Sequence, residues 1–220
     1  MDEIDIFKRF LVVDTETTNT LDEPLCYDVG FAVVDRFGAV YEKYSFVVAE
    51  IFLDRDLMSY AYFADKIEQY WQEIKAGKRT LAKFSTIRRK FAEVCKRNRI
   101  DIICAHNAYF DYRSLNLTQR YITASKYRYF FPFGTQVWDT LKMSREVLKN
   151  DDAYGEFCYN HDFLTSRLCK QFTAEVLYRF IVQKPDFEEA HTGLEDVLIE
   201  KEIFAYCLWR KPNLCGKLWK

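Results

Sequence analysis

Asp14 and Glu16 stand one residue apart in LVVDTETTN, residues 11–19, at the end of an apolar run. In a β-strand successive side chains alternate faces, so these two carboxylates share one face while Thr15 and Thr17 take the other. Like charges held that close are costly unless one is protonated or a cation lies between them. A hard divalent cation is a natural partner for such oxygens. Two further acids sit at the starts of expected helices. In CAHNAYFDYRS, residues 104–114, a strand ends near Ala105, Asn107 reads as an N-cap and Asp111 falls in the first turn of the helix. In EEAHTGLEDVLIE, residues 188–200, Thr192 and Glu195 have the spacing of a capping box. The last helix then starts at Thr192, with Asp196 one turn in and His191 just outside. On a continuous helix five residues turn two side chains well apart, so the break at the cap is what lets His191 and Asp196 face one site. Helix N-termini carry partial positive charge, which helps to keep such carboxylates ionised.

These residues need a scaffold, and the chain supplies alternating elements. FLVVDTE, CYDVGFAVVDR and AVYEKYSFVVA read as three strands, the last two joined at turn residues around Gly38, which makes an antiparallel meander. The apolar spacing then becomes helical from about Leu57 to Lys75 and from Leu81 to Arg99, with Ala76 and Gly77 between them. DIICAH reads as a buried strand, AYFDYRSLNLTQRYI as a helix and QVWDTL as a strand running into a helix. Residues 150–170 show no clear period and read as an irregular insertion. TAEVLYRFIV and LEDVLIEKEIFAYCLW close the chain as helices. Three strands followed by alternating helix and strand imply an α/β domain with a mixed sheet. The 220 residues are read as one domain, with a helical basic segment at about 56–99 and the insertion at about 150–170.

No apolar run approaches membrane-spanning length, and MDEIDIFKRF lacks the apolar core of a signal peptide, so an intracellular, cytoplasmic protein without a membrane partner is expected. Seven cysteines, an odd number, fit free thiols in a reducing compartment. Net charge is −1, but residues 75–99 hold ten basic residues against Glu93, about +9 in all. This block is either a solvated helix face or, if it lies beside the active site, a surface that tracks phosphates. Asp139, in VWDT, reads either as an acid supporting the site or as a sheet-end cap. Cys158, His161 and Cys169 lack a paired C-x-x-C and an obvious fourth ligand for zinc. Tyr62, Phe63, Tyr109 and Phe110 are candidates for stacking a terminal base.

DTETT, HNAYFD and HTGLED, in that order, resemble the three exonuclease motifs of the DnaQ-like, DEDDh family of 3′-to-5′ exonucleases. The resemblance spans Asp14 to Asp196. It implies a ribonuclease-H-like mixed sheet flanked by helices, four metal-binding acids at Asp14, Glu16, Asp111 and Asp196, and a catalytic base at His191. It further implies that Thr15 and Thr17 meet the terminal nucleotide and that Asn107 orders its loop or meets the substrate backbone. VWDTLKMSR and AEVLYRFI make the chain most similar to exonuclease-like proteins carried by bacteriophages, which would act in a bacterial host. Two departures concern the frame: Asn19 stands where the first motif is usually followed by glycine, and Gly193 where alanine is common, which would loosen His191.

The chemistry expected of such a set is phosphodiester hydrolysis. Two divalent ions roughly 4 Å apart generate a nucleophile near neutral pH and offset charge on the attacking and leaving oxygens. Magnesium or manganese suits an all-oxygen site. Asp14 would bridge the ions, with Glu16 and Asp196 on the nucleophile side, Asp111 partly through water, and His191 taking the proton. The expected substrates are single-stranded 3′ ends, DNA over RNA, and the expected product a nucleoside 5′-monophosphate. A DNA polymerase or replication complex is the expected protein partner. The other function class open to the fold is a nucleic-acid or polymerase-binding module with weak or lost catalysis.

Overall fold

A computed structural model describes residues 7–219 apart from Ser125 and Tyr127, so Met1 to Ile6, six of the ten residues read for a signal peptide, lie outside the described residues. Its centre is a six-stranded sheet. Strands β1 (Phe10–Thr18), β2 (Leu25–Val34) and β3 (Val40–Val48) form the expected meander, and Gly38 turns it with a φ of +82°. Strands β4 (Thr80–Ala82), β5 (Ile102–Ala105) and β6 (Gln136–Asp139) complete the order β4-β3-β2-β1-β5-β6. β1 to β3 pair antiparallel; β4 runs parallel to β3, β5 to β1 and β6 to β5. This is the mixed, ribonuclease-H-like sheet that the motifs imply, with helices on both faces.

Because helices cover both faces, the central strands are apolar on both sides rather than alternating. β2 is buried at every position. On one face Leu11 and Val13 of β1 pack with Phe84, Phe91 and Leu115; on the other Phe10 and Val12 pack with Val197, Ile203 and Phe204. The first set comes from α4 (Phe84–Arg97) and α5 (Tyr109–Ile122), the second from α9 (Gly193–Arg210). α1 (Ala49–Phe52), α2 (Arg55–Met58) and α3 (Ile67–Lys75) follow β3, and α6 (Thr140–Leu148), α7 (Asp152–Asn160) and α8 (Ala174–Val182) lie between β6 and α9.

Three elements differ from the sequence reading. The helix expected at 57–75 is split, with residues 59–66 forming turns and one 3-10 turn that carries Phe63 towards the site. The helix expected at 81–99 starts at Phe84, because Thr80–Ala82 pair along Phe46–Val48 as an edge strand. Residues 150–170 are not wholly irregular: α7 begins at the Asp151 cap, whose carboxylate accepts the Tyr154 amide at 2.8 Å, and Leu164 pairs with Lys170 across a turn. Among the described residues no helix is long and apolar enough to cross a membrane.

Candidate active site

β1, β5 and β6 run parallel, so their C-terminal ends open at one edge of the sheet, where open α/β sheets place their ligands. Asp14 and Glu16 lie at that end of β1. On its other side the α9 N-terminus is brought in by an unusually close approach. A Cβ at Gly30 would fall 2.2 Å from the Gly193 carbonyl carbon, and one at Gly193 would fall 2.8 Å from the Gly30 amide nitrogen. Gly193 therefore lets α9 dock on the strands. Asp28 fixes the joint: it is buried, accepts the Gly193 amide at 3.0 Å and the Tyr70 hydroxyl at 2.6 Å, and pairs with Arg79 at 2.9 Å. Arg79 also bonds Glu195 at 2.7 Å. Thr192 occupies the N-cap position as expected, yet its hydroxyl donates to Glu195 at 2.7 Å instead of capping the backbone.

The result is convergence. Asp14, Glu16 and Asp196 each present an oxygen, all within 4.8 Å of one another, and among the described residues this is the group of three or more side chains placed so that they could hold a metal ion. Cys158, His161 and Cys169 form no such group; Cys158 is buried and Cys169 exposed. A cleft of about 710 Å³ contains the three acids together with Thr15, Asn107, Asp111 and His191. Asp111 is 3% exposed and reaches the cleft from the opposite face of β1. Its Oδ1 accepts the Thr15 hydroxyl at 2.9 Å, so that hydroxyl orients Asp111 and is committed there rather than free for a nucleotide. A register shift between Glu16 and Thr17 interrupts the alternation, and Thr17 lies outside the cleft lining.

Asn107 does not cap α5 with its side chain. It adopts φ +58°, where Asn is among the better-tolerated residues, and its amide donates to Asp139 Oδ1 at 3.1 Å. Asp139 also accepts the Leu141 amide at 2.9 Å, so it caps α6 and ties down the Asn107 loop. Asn19, at φ +71°, fills a left-handed position that explains why glycine is usual there.

His191 sits at φ +48°, half exposed, with Nδ1 3.8 Å from Glu189. Phe63 stacks on its ring with centroids 4.7 Å apart, and the Lys66 ammonium bonds the Ala190 and His191 carbonyls. Burial, reinforced by the Lys66 charge, pushes the imidazole below its usual pKa, so it is neutral and able to accept a proton at pH 7. Phe63 and Phe110 line the cleft; Tyr62 and Tyr109 do not.

The carboxylates are held against their preference. Burial, followed by the charge of Asp196, pushes Glu16 up to about 9; burial and then Glu189 push Asp196 to about 8; burial pushes Asp111 to about 7, opposed by the Thr15 hydroxyl. Asp14 is raised well above the carboxylate range by burial and by its neighbours. Asp196 Oδ1 is buried without a hydrogen-bond partner. An all-oxygen donor set with mutual repulsion and an orphaned oxygen fits a hard divalent cation.

Three features were not read from the sequence. Glu200 is buried in the cleft, His106 lines it while bridging Thr140 Oγ1 and the Phe172 carbonyl, and Arg145 lines it over the Phe172 ring. None of the ten basic residues of 75–99 lines it, and Arg79, Lys90 and Arg97 are paired with acids. That block therefore reads as a largely solvated and ion-paired surface.

No protein-family model matches the chain, and no curated protein matches it in sequence. Solved structures do share its fold. Exonuclease X in complex with 5′-overhanging duplex DNA superposes with a TM-score of 0.56 at 13% identity, over 95% of this chain and 96% of that one. Escherichia coli exonuclease I in complex with a dT13 oligonucleotide gives 0.61 at 17% identity, over 93% of this chain but 42% of its own length. Exonuclease I from Methylocaldum szegediense gives 0.59 at 12%, over 94% of this chain and 41% of that one. The chain thus spans about two fifths of the exonuclease I structures. At such identities what is shared is the fold: the chain has the architecture of ribonuclease-H-like exonucleases.

Proposed function

We propose that this protein is a divalent-metal-dependent 3′-to-5′ exonuclease that hydrolyses phosphodiester bonds at single-stranded 3′ ends and releases nucleoside 5′-monophosphates. The observation that carries this reading is the meeting of Asp14, Glu16 and Asp196 within 4.8 Å, in a cleft that also contains Asp111 and His191. DNA is favoured over RNA, in keeping with the DNA complexes of the fold's relatives.

Asp14, Glu16, Asp111 and Asp196 would hold the ions. A pair of magnesium or manganese ions, when bound, supplies an activated water near neutral pH and offsets charge on the attacking and leaving oxygens. His191 takes the proton of the attacking water, its ring steadied by the Phe63 stack and its Nδ1 side facing Glu189. Thr15 keeps Asp111 aimed at the cleft. Also in the cleft lining, Arg145 has no carboxylate partner among the described residues and stands over Phe172, a cation and an aromatic face suited to the backbone and base of the preceding nucleotide.

Polarity is the direct test. A 5′-labelled DNA oligonucleotide incubated with magnesium should shorten stepwise from its 3′ end, a matched 3′-blocked oligonucleotide should persist, and a matched RNA should be cut more slowly. Internal cleavage, or equal digestion of the 3′-blocked strand, would refute the assignment.

A further inference from the structure

We infer that Glu200 is a fifth carboxylate of the metal site and lends an oxygen to one of its cations; this rests on the reading above for the presence of those cations. Glu200 follows Asp196 by one helical turn on α9, so both project from the same face of the helix into the same cleft. It is 3% exposed, and its Oε2 is buried without a hydrogen-bond partner.

Comparison with Asp28 shows how unusual this is. Asp28 is equally buried, and although its Oδ1 has no partner, its Oδ2 is met by the Arg79 cation, the Tyr70 hydroxyl and the Gly193 amide, which is how a structural acid is kept in an interior. Apart from Asp196, the neighbouring inward side chains of the helix, Val197, Ile203 and Phe204 among them, are apolar, so packing gives no reason for a carboxylate there. Its surroundings are acidic: Asp14, Glu16, Asp111 and Asp196 line the same cleft. Asp14, Glu16 and Asp196 form one group of three acids, and Asp111 and Glu200 complete the acidic lining beside it. A divalent cation held there would give the orphaned Glu200 oxygen the partner that the protein does not supply, where four acids alone would leave the position to water.

The alternative is a neutral Glu200 that only donates a hydrogen bond to Asp14, a role that glutamine would reproduce. Calorimetric and paramagnetic-resonance titration of the whole protein with manganese alone separates the two. Wild type should bind two ions. Glu200→Gln should retain one at unchanged affinity and bind the other at least tenfold more weakly, while its metal-free melting temperature is equal or higher. Glu200→Asp, which keeps the charge, should bind the second ion more tightly than Glu200→Gln. Two wild-type-like sites in Glu200→Gln, equal affinities in the two variants, or a single ion in wild type would overturn the inference. If wild type cleaves DNA while Glu200→Gln binds manganese normally, this assignment falls and the nuclease reading stands; a wild type that binds no manganese removes both.

Discussion

At the level of single residues the account divides cation holding from proton transfer. His191 is not part of the acid cluster and is kept neutral by burial and Lys66. His191→Ala should therefore lower kcat by about 10²–10⁴ while leaving manganese affinity unchanged; a matched loss of metal binding would assign the histidine a different role. That Asp14, Glu16, Asp111, His191 and Asp196 would share one cleft was readable because alternation in a strand and the starts of two helices fix roughly where they lie, although neither Asn107 nor Thr192 caps its helix through its side chain. Glu200 was not, although its four-residue spacing from Asp196 was in plain view. An isolated glutamate on a helix is ordinarily solvated, and only burial against β1 distinguishes this one. The same limit applied to Thr15, whose side of the strand could be read but whose commitment to Asp111 depends on where α5 docks.

At the level of elements, the site is assembled by joints that no local pattern announces. The Gly30–Gly193 contact sets the distance between α9 and β1, and Asp28 with Arg79 holds it. Gly193→Ala would drive a methyl group against strand backbone, so a loss of about 1–3 kcal/mol in denaturant unfolding is expected, with activity falling as Asp196 is displaced; an unchanged midpoint would contradict the tight docking. The three long strands and the helices of the two later motifs were legible because their apolar periods run for nine or more residues. β4 was missed because three residues of edge strand are too short to break the helical period that follows. α7 was missed although Tyr154, Phe157 and Cys158 have helical spacing, because one buried turn containing Gly155 is a weak pattern.

At the level of the whole molecule, the buried acids couple stability to pH and to metal. Raised carboxyl pKa values mean that the native state retains protons which the unfolded chain releases above about pH 4. Their contribution is full below that range and is lost as pH rises through about 7, 8 and 9, the values for Asp111, Asp196 and Glu16. The metal-free melting temperature should thus fall between pH 5 and pH 9, and magnesium or manganese should restore it most at the alkaline end. A flat profile, or metal that stabilises equally at both ends, would contradict the picture of carboxylates strained by one another.

The most direct test of the central claim is release of nucleoside 5′-monophosphate from a single-stranded DNA oligonucleotide, measured against magnesium concentration for wild type and Asp14→Ala. Wild-type release should saturate with magnesium and stop on chelation, and Asp14→Ala should release none above background. Activity that survives chelation or persists in Asp14→Ala, or a wild type that binds the oligonucleotide and leaves it intact with magnesium and with manganese, would contradict the account.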